Sequence, residues 1–189
     1  MSFNVVIPAR LNSSRLKEKV LIEIHGIPMV IHVAQRASLS GAKNIVIATD
    51  DKKIAEVVSH YNFKSVMTKK NHLSGTDRCL EASDISMWSD QDIIVNVQAD
   101  EPLIDPALID LVAKNVTESE SGYVTACSEF KSYKEFLNPN NVKVVLDNHA
   151  YALYFSRSSI PYSSSTDLTN NNYAYHHLGI YAYRLNTLK

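Results

Sequence analysis

Short, almost unbroken apolar runs alternating with helix-periodic stretches constrain this chain most. Asn44 to Ala48 (NIVIA) is apolar after its first residue, and Asp92 to Val97 (DIIVNV) carries four apolar, β-branched positions out of its six. A strand exposed on one face would show alternation, so continuous apolarity predicts burial on both faces, as in a parallel sheet covered by helices. The stretches between these runs have the complementary period. From Pro28 to about Ser38, Met29, Val30, Val33, Ala34 and Ala37 recur at helical spacing. After Asp51, Ile54, Val57, Val58 and Tyr61 fall at i, i+3, i+4 and i+7. Phe3 to Ile7 and Lys64 to Met67 read as further strands and Thr76 to Ser83 as a helix. Asp105-Pro106 is an N-cap followed by a first-turn proline, leading a helix lined by Leu108, Leu111, Val112 and Val116. Strand-helix alternation of this kind predicts an α/β domain with a mostly parallel sheet.

After Ser121 the pattern changes. Tyr123 to Cys127, Val142 to Leu146, Tyr151 to Phe155 and His176 to Tyr183 are strand-like but alternate more and carry more aromatics. They predict a smaller, partly antiparallel lobe. Pro161 to Asn172 (PYSSSTDLTNNN) is polar and turn-rich, and reads as a long loop with the option of a lid.

Composition narrows the function classes. Nineteen basic against 20 acidic residues leave a formal charge of −1, which gives no general nucleic-acid footprint. No apolar run reaches membrane-spanning length, and the start (MSFNVVIPAR) lacks a basic segment followed by a long apolar core. A cytoplasmic protein is expected, with neither nucleic acid nor membrane as partner. The two cysteines, Cys79 and Cys127, form no CxxC and read as structural thiols.

In an open parallel sheet, ligands sit beyond the carboxyl ends of the strands. Four constellations follow those ends or lie in the second half. Arg10, Arg15 and Lys19 follow the first strand; three cations on one loop suit a triphosphate, or simply a solvated basic surface. Neither GxGxxG nor a Walker loop is present. His72 to Arg78 (HLSGTDR) puts small residues at a helix start, which suits either backbone amides aimed at a ligand or an ordinary cap. In Asn96 to Pro102 (NVQADEP), Asp100 emerges where one carboxylate plus substrate phosphates is a typical magnesium arrangement, and Gln98 offers an amide; the acidic pair equally suits a turn. In the second half, Arg157 is a candidate partner for a substrate carboxylate. His177 and Tyr181 stand four apart, on one side of a regular strand. No third ligand recurs at zinc spacing.

These segments occur together in one family. The chain resembles the 3-deoxy-manno-octulosonate cytidylyltransferase (CMP-Kdo synthetase) family through VVIPAR…SSRL…K, ATDD, MTKKNHLSGTDR, IIVNVQADEP, NPNNVKVVLD, YALYFSRSSIP and HHLGIYAYR, spanning essentially residues 3 to 184. The resemblance implies a single domain over residues 1–189 with a nucleotidyltransferase-type, Rossmann-like α/β fold. It implies the reaction CTP + Kdo → CMP-Kdo + diphosphate for lipopolysaccharide biosynthesis, with magnesium as cofactor and a homodimer as the assembly. By position it implies Arg10, Arg15, Lys19, Ser74, Gly75 and Arg78 at the CTP site. Asp100 would hold magnesium, and Arg10, Lys19 and Asp100 would carry catalysis. Gln98, Arg157, His177 and Tyr181 would line the sugar-acid site.

The chain departs from the family pattern in three places. Lys17-Glu18 stands where the family carries Pro-Gly, with Lys17 a possible compensation for the charge of Glu18, and Ala99 replaces a glycine. Family members also continue past Leu188-Lys189 into a part supplying a second magnesium aspartate, a sugar-contacting glutamate and dimer helices. The expectation is therefore weak CTP binding and poor turnover by the chain alone. Two other readings stand beside the leading one: a CMP transferase for another sugar acid such as 8-amino-Kdo, and a truncated nucleotide-binding protein without full activity.

Overall fold

A computed structural model describes residues 2–11, 16–162 and 174–189. Arg15 and the polar segment after Tyr162 lie outside the described residues. In chain order the elements are β1 (Phe3–Ala9), β2 (Glu23–Ile24), β3 (Ile27–Pro28), α1 (Met29–Ala37), β4 (Asn44–Thr49), α2 (Lys52–His60), β5 (Lys64–Met67), α3 (Gly75–Ile85), β6 (Ile93–Asn96), α4 (Pro106–Glu118), β7 (Tyr123–Ser128), α5 (Tyr133–Leu137), β8 (Lys143–Leu146), β9 (Ala152–Ser156) and β10 (Ala174–Arg184). The chain divides into two compact units, one of Met1–Val124 with Ile180–Lys189 and one of Thr125–Gly179.

The first unit holds the predicted parallel sheet, in the order β5-β4-β1-β6. Its registers pair Val6 with Val46 and with Asn96, so β1 is enclosed on both sides by parallel neighbours. Tyr181–Arg184 of β10 add an antiparallel strand against β6. Val5, Val6 and Ile7 are all fully buried, as are Val46, Ile47, Ile94 and Val95. Successive strand residues point to opposite faces, so both faces of these strands are covered, as their unbroken apolarity requires. One face carries the cluster of Val6, Val46, Ala48 and Ile94 with Cys79 and Ala82 of α3, closed by Tyr183 and Leu185. The helices begin where the caps predict: Asp51 accepts from the Lys53 amide and Asp105 from the Ala107 amide. Among the described residues, no helix is long and apolar enough to cross a membrane.

The second unit is antiparallel, as its alternating sequence predicts: β8 pairs with β9 and with Ala174–His176 of β10. Two small elements have no counterpart in the sequence reading. The β2–β3 hairpin turns on His25 and Gly26, both at positive φ. Histidine is an unusual first residue for such a turn, where asparagine or aspartate is the common signal. The single-turn helix α5, capped by the Ser132 hydroxyl on the Glu135 amide, is too short for its period to register.

Cys79 is fully buried, and burial pushes its thiol up to about 12, in keeping with a structural role. Gly122 has φ +64, and a Cβ there would stand 2.8 Å from Thr187 Oγ1. Gly122→Ala meets both a backbone penalty and a steric one. It is expected to cost about 1–3 kcal/mol, read as a lower urea midpoint at unchanged m-value; an unchanged midpoint refutes the requirement for glycine.

Candidate active site

The carboxyl ends of β1 and β6 are adjacent in the sheet, and the chain beyond β6 keeps the pairing for one more residue, the Val97 amide donating to Val6 O. Gln98 to Glu101 then form a turn closed by the Glu101 amide on Gln98 O at 3.2 Å. The turn presents Asp100 toward the loop that leaves β1. Lys19, at the start of a short 3-10 helix in that loop, reaches across, and its Nζ lies 2.5 Å from Asp100 Oδ2. Two groups 81 residues apart in sequence thus meet at one strand end. Burial and the neighbouring Asp100 charge raise Glu101 above the usual carboxylate range, against the pull of Lys19.

Glu18, in the place of the family's glycine, takes φ +54, a left-handed conformation that costs a side-chain-bearing residue about 1–2 kcal/mol. Its carboxylate pairs with Lys53 Nζ at 2.5 Å, so the partner of the added negative charge is on α2. Ala99 does not take a positive φ, so it adopts its conformation without glycine's freedom.

The start of α3 closes a third side. Ser74 and Asp77 form a reciprocal capping box: the Asp77 amide donates to Ser74 Oγ and the Ser74 amide to Asp77 Oδ2. The ordinary-cap reading of this motif is therefore satisfied. Gly75 places the helix start against the ends of β1 and β6: a Cβ here would lie 3.4 Å from Pro8 Cγ and 3.8 Å from Asn96 Nδ2, ordinary contact distances. Asn96 is buried, and its Oδ1 accepts from Gln98 Nε2 at 3.4 Å. Tyr181 is the register partner of Asn96 across β6 and β10. Its phenol is pushed up by burial, and its ring lies 6.1 Å from that of Tyr123. Asn96 is a site residue that the sequence reading passed over. Its signal was visible, since it is the one polar interruption within the run IIVNV.

Two further candidates belong to the first unit. Arg10 is exposed just past β1. Arg78 is 3% exposed; its Nη1 donates to Thr68 Oγ1 at 2.5 Å and lies 3.3 Å from Asp50 Oδ1. It therefore braces the loop before α3 from inside, and Asp50 supplies its countercharge.

In the second unit, Arg157 Nη1 donates to Pro139 O at 3.0 Å. The buried Lys143, unremarked in the sequence, gives its Nζ protons to Asn138 O, Asn141 O and Arg157 O at 2.7–3.0 Å. Burial, then the charge of Arg157, pulls the Lys143 ammonium below the ordinary lysine range. His177 Nε2 lies 2.9 Å from Thr125 Oγ1, with the Phe155 ring edge-on at 4.8 Å. Gly179, at φ +67, interrupts the regular pleat between His177 and Tyr181, so simple alternation does not carry across that interval.

A cationic loop, a glycine-led helix start and an acidic turn gathered at the carboxyl ends of neighbouring parallel strands are the arrangement of a nucleotide-binding α/β enzyme. The cytidylyltransferase family model matches residues 4–189, and the chain belongs to that family. It is 45% identical over 188 residues to the 3-deoxy-manno-octulosonate cytidylyltransferase of Serratia proteamaculans (strain 568), covering 97% of this chain and 76% of that protein. It is 44% identical over 189 residues, at the same coverage, to the enzyme of that name from Erwinia tasmaniensis. Among solved structures, a CMP:2-keto-3-deoxy-manno-octonic acid synthetase complexed with CTP superposes with a TM-score of 0.87 at 37% identity, over 100% of this chain and 76% of that one. A cytidylyltransferase from Leptospira borgpetersenii shares the fold, with a TM-score of 0.57 at 24% identity over 66% of this chain and 53% of its own.

The histidine pair gives the second unit a pH dependence. Burial lowers both His176 and His177 below 6.5; the charge of His176 adds to this at His177, while Glu135 partly opposes it at His176. The unfolded chain therefore takes up protons first as pH falls below about 6.5. The stability contributed by the neutral rings is complete above that value and lost as pH falls through their lowered folded values. Urea midpoints are expected to decline between about pH 6.5 and pH 5, with a shallower slope in His177→Gln; equal slopes in the two proteins refute this origin.

Proposed function

We infer that this chain transfers CMP from CTP to 3-deoxy-D-manno-octulosonate, releasing diphosphate and supplying the activated sugar to lipopolysaccharide biosynthesis. The observation that carries the reading is the meeting of Lys19 with Asp100 at the carboxyl ends of β1 and β6, beside the start of α3, in a chain 45% identical to an enzyme of that name. The cytoplasm, where CTP is available, is the compartment this reading implies.

The reaction joins the sugar's anomeric oxygen to the α-phosphorus of CTP and breaks the bond to the departing diphosphate. Such transfers ask little covalent work of a protein, so positioning and charge neutralisation dominate. Lys19, with Arg10 and Arg15, offsets the triphosphate charge. Ser74 and Gly75 bring the amides of the α3 start close to the nucleotide, and Arg78 holds the preceding loop from beneath. Gln98, oriented by Asn96, presents its amide to the sugar acid. Tyr181 lines the same strand end, and Arg157 and His177 belong to the sugar-acid side of the proposal.

Asp100 fits magnesium of the substrate-sharing kind. It is a single, partly exposed carboxylate at a strand end, and among the described residues no three His, Cys, Asp or Glu side chains gather to hold a metal unaided. A magnesium ion at such a place takes its other oxygens from phosphate and water, and its chemistry is the neutralisation of phosphate charge. Until substrate arrives, Lys19 is the counter-ion of Asp100.

The reading also proposes a homodimer. Among the described strands, β9 is an edge of its sheet. It exposes Leu153 at 65% and Tyr154 at 62%, with Phe155 and, just before the strand, Tyr151 also exposed. An apolar edge strand left open invites association, and a second copy is the occupant proposed. Leu153→Asp is expected to convert the dimer to monomer in light scattering; a wild type that is monomeric at all concentrations overturns the dimer.

The catalytic test is diphosphate release from CTP and Kdo with magnesium. Lys19→Ala and Asp100→Asn are each expected to lower kcat/KM by roughly 10²–10³, and a wild type that releases no diphosphate sinks the reading. Running 8-amino-Kdo in parallel, with kcat/KM for each acceptor, decides between the two sugar acids.

A further inference from the structure

The loop between β5 and α3, Thr68 to Ser74, ends on the residue that starts the nucleotide-binding helix. Apolar packing does not hold it. Lys69, Lys70, Asn71 and Leu73 are exposed, Leu73 at 93%. The loop is held by polar bonds to α3 at its beginning, middle and end. At the beginning, the Thr68 amide donates to Thr49 O at 2.8 Å while Arg78 donates to its hydroxyl. At the end, Asp77 and Ser74 cap each other. In the middle stands Glu81. Its Oε2 accepts from the Lys69 amide at 2.8 Å and from His72 Nε2 at 2.5 Å, and both side chains of the pair are largely buried, at 19% and 15% exposure. Asp77, Arg78 and Glu81 fall at i, i+1 and i+4, so the capping residue and Glu81 share one flank of the helix.

We propose that Glu81, through His72 and the Lys69 amide, is a positioning residue that fixes the Thr68–Ser74 loop and thereby sets where Ser74 and Gly75 meet the CTP phosphates. The inference rests on the nucleotide reading above. Its physical basis is a single carboxylate gathering two donors three residues apart, with Lys69 Nζ 3.9 Å from its other oxygen, on a loop whose mid-length polar anchor among the described residues is Glu81. Charge-assisted bonds of this kind are stronger than neutral ones, and losing the acceptor frees both donors at once. Partial burial by itself would raise Glu81; the bonds from His72 and the Lys69 amide overcome it, and the carboxyl is held below its ordinary value. A second consequence is selectivity of effect. Glu81 touches the loop and not the Lys19–Asp100 pair, so its removal alters CTP binding without altering the acceptor site.

The experiment measures CTP binding by calorimetry and steady-state kinetics with CTP and Kdo varied separately, on wild type, Glu81→Ala, Glu81→Gln and His72→Ala. Glu81→Ala is expected to raise both the Kd and the KM for CTP about tenfold, with the KM for Kdo unchanged within about twofold. Glu81→Gln keeps an oxygen acceptor and is expected to recover most of the loss; His72→Ala keeps the Lys69 bond and falls between. Amide hydrogen exchange over Thr68–Ser74 is expected to rise in the same order. Wild-type CTP affinity in Glu81→Ala overturns the positioning role while leaving the enzymatic reading standing. If Glu81→Ala fails to fold, His72→Ala decides: native circular dichroism with unchanged CTP affinity overturns the proposal. A wild type that binds no CTP removes the nucleotide reading itself, and the inference with it.

Discussion

Parallel pairing of β1 with β4 on one side and β6 on the other is the constraint from which the rest follows. Parallel strands need helical crossovers between them, and the crossovers cover both faces; hence the fully buried Val5, Val6, Ile7, Ile47 and Val95. Because all these strands run the same way, every connection leaving a carboxyl end emerges on the same rim. The β1 loop with Lys19, the start of α3 and the turn with Asp100 are three such segments. Their convergence is a product of direction, not of nearness in sequence. With Val6 and Asn96 in register, the start of α3 at Gly75 lies against Pro8 and Asn96 at ordinary contact distance.

Charge is managed locally. A chain of net charge −1 binds a strongly anionic substrate only if its cations are concentrated and held. The structure gives them different partners. Lys19 pairs with Asp100 and Lys53 with Glu18, both near the surface, where an ion pair contributes little stability and exchanges readily. Arg78 and Lys143 are buried, with Asp50 and Thr68 around the first and three carbonyls around the second. The former pair can be parted by a ligand. The latter are frame: removing their partners would strand a charge in an apolar setting.

Much of this was legible in the sequence, for reasons that can be named. The strands of the first unit were readable because burial on both faces leaves an uninterrupted apolar run, and α2 and α4 because Asp51 and Asp105 announce their starts. The β2–β3 hairpin was not, since His25 carries a conformation usually signalled by other residues. Asp100 and Lys19 were identifiable as candidates because strand ends can be located without coordinates. Arg78 was legible as a cation at the right place but not as a buried one, because its partners, the Thr68 hydroxyl and Asp50, are brought to it only by folding. Lys143 and Glu81 escaped because their roles depend on carbonyls, an amide and a ring brought to them by folding. Backbone partners leave no mark in a sequence.

Glu18 shows how one substitution redistributes free energy before any ligand arrives. A glycine at this place would leave the loop free to sample either hand of the backbone, and binding would have to collect that freedom. A glutamate held at φ +54 and tied to Lys53 gives up most of the sampling at the outset, at the expense of standing strain. The backbone at Glu18 is thus nearer to a sprung latch than to a hinge. Its share of the ordering entropy is settled in folding, next to the residue that meets Asp100.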